Sequence, residues 1–502
     1  MLSNEVKINQ TTDSIKKEED HSLLYIHNNS KLNCDSSQSF NTLDKVFNEI
    51  GYTYFHLKMI LIVSLIFFVD GGEMIVINLL LSTIQHQWSF SNLNKSLLSS
   101  SVFFGFFLGS MFSGLFINRY GRKNPTIVGM GIIYTFSLLT SSGYDFYTLF
   151  FIRVLVGIGI GIVVPAATSL VTETIPSYNR SLILNLLWIL YAPGIIYICW
   201  VAMYYIKKQE LLWREICFLN SMNSLCVLAI SFFLDESPRY LLLKKRSEEA
   251  FEIINRISSR KLTDFEKSCI IRDHTIIGEI KNDFNYAAFI KKKNILITII
   301  LGILWYLTSV ISYGLLYILP KLFDSMDKNN KHESLKHMII TMSILFPCPL
   351  FRGIISEVKS IGRKYGMILG YVGSGICVLL CVFLKENLFI YSGFLKFFIK
   401  TSIGIVSVYT SEVYPTHLRS LALGFGNGLT RVGGITTPFL CEVLENKFKK
   451  GSFYMFFFLS IIGIIATYLL PYDTIGKPLD IIEENSFKDE QSSLEKNKKI
   501  KV

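Results

Sequence analysis

The sequence predicts an all-α membrane protein whose twelve transmembrane helices form two six-helix halves. Half of its 502 residues are hydrophobic and only 18% are charged, whereas a soluble protein of this size needs a more polar surface. Twelve apolar runs are long enough to cross the bilayer core, which takes roughly 20 helical residues. Two unrelated motifs also recur at nearly the same distance along the chain. These features indicate a membrane bundle built from two copies of one unit.

The recurring motifs define the repeat. Glu-x-x-Pro-x-x-x-Arg-Ser occurs at 173–181 and again at 412–420, 239 residues later. Gly-Arg-Lys occurs at 121–123 and again at 362–364, 241 residues later. Doubled helical bundles are the architecture of many secondary transporters, which bind their solute between the two repeats.

The predicted spans divide into two groups of six on either side of a charged stretch. They are 57–80, 97–117, 124–143, 147–172, 181–205, 212–234, 294–319, 337–356, 366–385, 388–411, 419–441 and 452–471. An even number of spans places both ends of the chain on one side of the membrane.

The domain organisation follows from these spans. We expect a disordered tail at 1–56, a bundle at 57–234, a linker at 235–293 with short helices such as Glu248–Ser258, a bundle at 294–471 and a disordered tail at 472–502. Lys and Arg concentrate on the side of the tails even when the linker is left out, which places both tails in the cytoplasm. The net charge of +11 is explained by this bias, so we expect no nucleic-acid partner.

Small residues indicate close helix packing. Ser101, Gly105 and Gly109 recur every four positions in the second span, and Gly157 and Gly161 do so in the fourth. Such spacing forms a thin helix face on which a neighbouring backbone can approach closely.

Several segments resemble the major facilitator superfamily. They are the loop Gly114-Leu-Phe-Ile-Asn-Arg-Tyr-Gly-Arg-Lys123, the fourth-span segment 153–161 and the run Asp-Glu-Ser-Pro-Arg-Tyr-Leu at 235–241. The segments 412–438 and 470–479 resemble the organic-ion and synaptic-vesicle-related branch of that superfamily. The resemblance runs from the first span to the last and implies the major facilitator fold.

Two positions depart from the family pattern. Sugar porters carry a Gln-Gln pair in the seventh span, where this chain has Trp305-Tyr306-Leu307, which argues against a hexose as the solute. The acidic residue usual in the first cytoplasmic loop is Asn118 here, which removes one carboxylate from that loop.

Two acids lie in the middle of the first span. Asp70 and Glu73 are three residues apart, so they share a helix face beside Gly71 and Gly72. Because two close carboxylates resist double ionisation, one of them can load and release a proton. We therefore predict that they couple transport to protons. The alternative is a structural role, in which they pair with Arg153 or Arg431.

Two lysines lie four residues apart in the tenth span. Lys396 and Lys400 share a face with Gly404, and a polar stripe of this kind on an apolar helix indicates cavity lining. Two ammonium groups facing a cavity attract an anionic solute. The alternative is internal pairing with Asp70 or Glu73.

Three further residues complete the predicted substrate site. Arg431 stands at a family-like position deep in the eleventh span, and Trp305 and Tyr313 lie in the seventh. Aromatic rings can stack on a solute, and packing in the helix core is their alternative role. For Arg431 the alternative is a structural ion pair.

Charged residues of the loops, together with two motif residues, are predicted to act as a gate. The set is Arg119, Gly121, Arg122, Arg153, Glu173, Arg180, Glu236, Arg239, Arg363, Glu412 and Arg419. Loop ion pairs that form and break as the halves rock would bias the inward and outward states. The alternative is that these charges only set the topology.

Taken together, the sequence predicts a secondary active transporter that works by alternating access. The lysines favour proton symport of a small organic anion, such as the vitamin-like monocarboxylate pantothenate. Asp70 and Glu73 leave an organic cation open, and a sugar-like solute is a further alternative. A transporter-like receptor or vesicle protein that does not transport is the competing class.

The sequence carries no catalytic grouping, Walker loop, dinucleotide fingerprint or metal-ligand spacing. We therefore expect no enzyme activity, no cofactor and no metal. The expected partners are the solute, a proton or other coupling ion and the lipid bilayer. We expect a monomer in the plasma membrane, with a vesicle or organelle membrane as the alternative.

Overall fold

The computed structural model describes most of the chain. The residues it describes are 42–176, 178, 180–207, 210–258, 262–264, 266–272, 292–327, 330–358, 362–384, 386–414, 416–448, 450–471 and 473–474. They form a helical bundle with one small antiparallel ladder of two-residue strands.

The first half contains eight helices. They are α1 (Thr42–Ile50), α2 (Tyr54–Trp88), α3 (Asn92–Tyr120), α4 (Lys123–Thr140), α5 (Phe146–Thr174), α6 (Arg180–Leu186), α7 (Tyr191–Tyr204) and α8 (Trp213–Ser231). A 3₁₀ turn at Leu187–Leu190 joins α6 to α7. The strands β1 (Ile206–Lys207) and β2 (Glu210–Leu211) lie between α7 and α8.

The linker and the second half contain nine helices in the described part of the chain. They are α9 (Pro238–Leu243), α10 (Ser247–Ile257), α11 (Lys292–Met326), α12 (Lys331–Leu345), α13 (Cys348–Glu357), α14 (Gly362–Phe383), α15 (Leu388–Val413), α16 (Thr416–Lys447) and α17 (Gly451–Tyr468). The linker helix predicted at Glu248–Ser258 is confirmed as α10. Residues 273–291 of the predicted linker lie outside the described residues.

Helices coincide with all twelve predicted spans. Within the described residues, nine helical segments are both long enough and apolar enough to cross a membrane on those criteria alone. The other three spans are α4, α8 and α16, in which charged or polar residues stand near the first turn or along the helix.

Two of the spans are interrupted helices, and proline explains both breaks. Pro193 stands in the first turn of α7, where its ring excludes a continuous helix from α6. Pro347 and Pro349 separate α12 from α13 in the same way. The interrupted spans pack against each other across the two halves, α7 on α12 and α6 on α13.

The prediction of a disordered tail over 1–56 is wrong for its last part. Residues Thr42–Ile50 form α1, and Leu43, Val46 and Phe47 on this helix are buried. The hydrophobic face of α1 therefore docks on the bundle and orders this segment. Residues 1–41 lie outside the described residues, as do 475–502 of the second predicted tail.

The halves also meet through α3 and α16, which converge at one end and diverge at the other. The hydroxyl of Ser100 donates to the carbonyl of Ile435 at 2.8 Å, and Ser96 donates to Pro438 at 3.3 Å. Further along, a Cβ added at Gly114 or Gly424 would meet no atom within 4 Å. The contacts between α3 and α16 are therefore close at the Ser96–Pro438 end, whereas Gly114 and Gly424 stand in open space towards the predicted cytoplasmic face.

Candidate functional site

The two acids of α2 have different surroundings. The carboxylate of Glu73 forms a completely buried ion pair with Arg153 of α5 at 2.7 Å. Ser137 of α4 and Asn220 of α8 donate to the same carboxylate at 2.6 and 2.7 Å. Arg153 also donates to the backbone carbonyl of Glu73 at 2.8 Å. Glu73 thus joins four helices of the first half, which is the structural alternative considered above.

Asp70 lies one turn earlier on α2 and is not part of this cluster. Its side chain is buried, and its Oδ1 has no hydrogen-bond partner among the residues that the structure describes. The cations that interact with it electrostatically are Arg431 and Lys400, both from the second half. Asp70 therefore presents an unsatisfied carboxylate to the boundary between the halves.

Lys400 of α15 reaches the same boundary. Its ammonium group lies 5.1 Å from the ring centre of Tyr191 and 5.6 Å from that of Tyr313. Tyr191 begins α7 in the first half and Tyr313 belongs to α11 in the second. Because a cation over two aromatic faces is attracted by their quadrupoles, these rings hold the ammonium group in place between the halves.

Arg431 of α16 completes the cluster. It donates to the hydroxyl of Tyr313 at 2.6 Å, and its guanidinium carbon lies 3.4 Å from the ring centre of Phe106 on α3. Its Nε has no hydrogen-bond partner within the described residues. We call Asp70, Tyr191, Tyr313, Lys400 and Arg431 the central cluster. The central cluster thus contains one carboxylate, two cationic side chains and two tyrosine rings.

Two predicted substrate residues lie outside the central cluster. Lys396 is only 1% exposed, and its amine lies 3.3 Å from the sulfur of Met342 on α12. Trp305 donates from its indole to Thr410 at 3.2 Å, and its ring lies against Gly426. It stands eight residues before Tyr313, which is about 12 Å along α11. Both side chains pack between helices of the second half.

The predicted gate residues of the first half form a clasp at the predicted cytoplasmic face. Arg122 pairs with Glu173 at 2.8 Å, and the Glu236 carboxylate accepts from the backbone of Arg122 at 2.9 Å. Gly121 has a φ of +91°, and a Cβ there would overlap the Glu236 carboxylate. Glycine is required at this position on both grounds. Ser237 adds a short hydrogen bond to Glu173.

The second half repeats this clasp. Arg363 pairs with Glu412 at 2.9 Å, and the backbone of Arg363 donates to Asp473 at 3.0 Å. Gly362 has a φ of +70°, and a Cβ there would overlap the Asp473 carboxylate. Asp473 and Thr474 thus take the places of Glu236 and Ser237. Asp473 belongs to the predicted disordered tail 472–502, so that prediction is wrong for these two residues.

Each of these ion pairs lies within one half, so none of them joins the halves in this conformation. Arg180 and Arg239 both reach Asp44 on α1, the former at 3.5 Å. The guanidinium of Arg119 lies over the ring of its neighbour Tyr120. Arg419, the repeat equivalent of Arg180, has two buried nitrogens without a hydrogen-bond partner among the described residues.

Tyr240 of α9 ties the linker to the first clasp. Its hydroxyl donates to the carbonyl of Arg119 at 2.9 Å, and the Arg122 guanidinium lies 4.9 Å from its ring centre. Burial and the nearby Glu236 carboxylate raise the pKa of the Tyr240 hydroxyl. The hydroxyl therefore remains a hydrogen-bond donor throughout the physiological pH range.

Comparison with known protein families identifies the group to which this architecture belongs. Residues 31–485 match the family model described as "Sugar (and other) transporter". The chain belongs to the sugar (and other) transporter family. It is therefore a multi-pass membrane transporter of the major facilitator superfamily, as the motifs of its loops predicted.

Curated relatives from this family cover most of the chain. "Putative transporter svop-1" of Caenorhabditis elegans is 27% identical and covers 89% of this chain and 88% of its own length. "Synaptic vesicle 2-related protein" of Xenopus laevis is 25% identical and covers 86% of this chain and 80% of its own length.

Solved structures of a bacterial transporter share the fold. A structure described as the proton:xylose symporter XylE bound to 6-bromo-6-deoxy-D-glucose superposes with a TM-score of 0.69 at 16% identity, covering 86% of this chain and 98% of that one. An inward open conformation of XylE from E. coli superposes with a TM-score of 0.66, and the match covers 84% of this chain and 98% of the XylE chain. At this identity the likeness establishes the major facilitator fold and not the solute.

Several residues near the site were not predicted as site residues from the sequence of this transporter. Phe106 belongs to no motif, while Tyr191 is one of several aromatic residues of the predicted spans that could stack on a solute or pack in the core. Asp473 and Thr474 follow the last span at nearly the offset at which Glu236 and Ser237 follow the sixth. The repeat that relates the two Gly-Arg-Lys motifs could have identified Asp473 and Thr474 as the counterparts of Glu236 and Ser237.

Proposed function

We propose that this transporter carries a small organic anion by alternating access and takes up a proton with it. The observation that carries the proposal is the convergence of Lys400 and Arg431 from the second half with Asp70 from the first. A solute that binds there touches both halves at once. Its binding energy therefore favours the closed interface that must form between the two open states.

The two cations serve as the anion site. Arg431 keeps its charge in any surroundings, and an unused Nε donor allows it to bind a carboxylate. Lys400 is held between two rings and adds a second positive charge. A monocarboxylate such as pantothenate offers the planar pair of oxygens that a guanidinium binds best.

Asp70 serves as the proton carrier in this proposal. When it is ionised it competes with the solute for Lys400 and Arg431, and when it is protonated it releases them. Uptake of a proton and uptake of the anion are therefore favourable in the same step. Glu73 has no part in coupling, since its carboxylate is committed to Arg153, Ser137 and Asn220.

One observation favours an organic cation as a second candidate. The free Oδ1 of Asp70 and the ring of Tyr191 are the groups that bind ammonium ions in proteins. Lys400 and Arg431 oppose this, because two cations repel a third. A sugar-like solute is suggested by the solved structures of a xylose symporter. A vesicle protein that does not transport is suggested by the relatives named for synaptic vesicles.

We place the protein as a monomer in the plasma membrane, with its tails in the cytoplasm. A vesicle membrane is the alternative, and the relatives named for synaptic vesicles support it.

Uptake into proteoliposomes tests the proposal. Labelled pantothenate, tetraethylammonium and xylose are offered at acidic and neutral external pH. We expect uptake of the anion, faster at acidic pH, and its loss in Lys400→Gln. Lys336→Gln removes a charge from an exposed side chain that pairs with Glu333 one turn away and should transport normally. Uptake of only the cation or only the sugar would refute the proposal.

A further inference from the structure

Arg352 is a buried cation next to the central cluster that the proposed function does not use. It lies on α13, directly after the break that Pro347 and Pro349 impose, and its side chain is 8% exposed. Its aliphatic part lies against Gly404 of α15, where a Cβ would overlap it. Gly404 is four residues after Lys400, which is about 6 Å along the same face of the helix.

The guanidinium of Arg352 is poorly satisfied where it lies. One terminal nitrogen donates to the carbonyl of Asn185 on α6 at 3.4 Å, across the boundary between the halves. Its Nε has no hydrogen-bond partner within the described part of the chain. A guanidinium has five donors, and buried donors in folded proteins are normally paired. The geometry therefore leaves Arg352 able to donate hydrogen bonds to an oxygen acceptor of a ligand.

The charges around Lys400 lead to the same conclusion. Lys400 interacts electrostatically with Arg352, Asp70 and Arg431. Among the described residues, Asp70 is the carboxylate that acts on Lys400 and Arg431, because Glu73 is used by Arg153. Unbalanced charges in a low-dielectric interior are strongly unfavourable. A solute with one carboxylate compensates only part of this excess positive charge. A solute with a second oxygen acceptor also provides a hydrogen-bond partner for Arg352.

We propose that Arg352 is a second anchor of the solute site, so that the transported anion is bifunctional. Its carboxylate binds at Lys400 and Arg431, and an oxygen acceptor at its other end accepts hydrogen bonds from Arg352. This inference rests on the proposed anion transport and narrows it. Pantothenate belongs to the class because it has amide and hydroxyl oxygens beyond its carboxylate, and butyrate does not.

The position of Arg352 beside the first half means that a solute bound to it would also contact both halves of the protein. The carboxylate end lies near Asp70 and Tyr191 of the first half, and the far end lies beside Asn185 of α6 in the same half. Both anchors themselves belong to the second half. A bifunctional solute therefore bridges the halves at two points about one helical turn apart, while a monofunctional acid bridges them at one.

Thermal unfolding of the purified full chain tests this inference. Butyrate, succinate and succinamate share a four-carbon skeleton and differ in the group at the far end. At a fixed concentration, a ligand that binds more tightly raises the unfolding temperature further, because the stabilisation grows with the logarithm of the ligand concentration divided by Kd. We expect succinate and succinamate to bind about tenfold more tightly than butyrate, as an added charge-assisted hydrogen bond allows. In Arg352→Gln that preference should vanish while the butyrate shift remains.

Matched variants separate the possible outcomes. Arg246→Gln removes an exposed guanidinium that pairs with Glu249 and should keep the wild-type preference. Arg352→Lys keeps the charge without the planar fork and should retain part of the preference, which covers the case in which Arg352→Gln fails to fold. Equal stabilisation by all three acids, or a preference that survives in Arg352→Gln, would overturn the second anchor. If none of the acids binds while tetraethylammonium or xylose does, the proposed anion transport itself is wrong.

Discussion

At the scale of single residues, side chains of the same charge only a turn apart have different surroundings. Asp70 and Glu73 share a face of α2, yet Glu73 accepts three hydrogen bonds inside the first half and Asp70 Oδ1 accepts none from the described residues. Lys396 and Lys400 share a face of α15, yet Lys396 contacts Met342 and Lys400 lies between two tyrosines. In each pair, one member contacts residues of its own half and the other lies at the boundary between the halves.

Replacing Glu73 should therefore destabilise the protein. Glu73→Gln leaves Arg153 as an unpaired cation that is completely buried, and breaking a buried ion pair costs about 3–5 kcal/mol. We expect a clear fall in the unfolding temperature and in the yield of folded protein. A variant with wild-type unfolding temperature would show that the pair is not needed for the fold.

Replacing Asp70 should affect coupling and not the fold. Asp70→Asn keeps the shape of a side chain whose Oδ1 has no partner among the described residues, so the unfolding temperature should stay near that of the wild type. Because asparagine carries no titrating proton, uptake should no longer rise when the external pH is lowered. Uptake that keeps its full pH dependence in this variant would remove Asp70 from the coupling step.

Spacing predicted the shared faces but not these differences. A helical period gives the direction of a side chain relative to its own helix, while its role depends on the neighbouring helix. The partners Ser137 and Asn220 are ordinary polar residues of α4 and α8 that belong to no motif. Arg352 stands four residues before the end of its predicted span and likewise belongs to no motif, so only the packing of α13 on α15 reveals its place.

At the scale of elements, close contact between α3 and α5 holds the first half together. A Cβ added at Gly105 would overlap the backbone carbonyl of Val154, and one at Gly157 would overlap that of Val102. The sequence predicted this face from small residues at a spacing of four, and the structure confirms it. The prediction succeeded because only small side chains allow two backbones to approach this closely.

Gly105→Ala should consequently separate α3 from α5. The added methyl group meets a backbone carbonyl, which cannot turn away as a side chain can, so we expect a loss of about 1–3 kcal/mol in stability. Gly131→Ala on α4 is the matched control, because a Cβ there meets no atom within 4 Å. Thermal unfolding of both variants in the same detergent measures the difference. Equal unfolding temperatures would show that the helix contact tolerates a side chain.

At the scale of the whole molecule, the repeat governs both the fold and the site. The two clasps are built from matching residues of each half, and among the described residues each clasp holds its own loops without an ion pair to the other half. Contacts between the halves include the paired interrupted helices and the converging ends of α3 and α16. Such an arrangement lets each half move as a unit around the central cluster. The sequence predicted the clasp residues from the doubled motifs and expected their ion pairs to form and break as the halves rock. Spacing along the chain does not reveal that each pair closes within one half, because the partner of a charge depends on how the helices pack.

The most direct test of this account is the accessibility of position 400 from both sides of the membrane. Lys400→Cys is treated with a water-soluble, membrane-impermeant aminoethyl thiosulfonate, from the outside or from the cytoplasmic side, with the unsubstituted chain as background control. We expect labelling from either side and partial recovery of uptake on labelling, because the reagent restores an ammonium group. A thiol that reacts from neither side, or whose labelling restores no uptake, would contradict a charged site shared by the two halves.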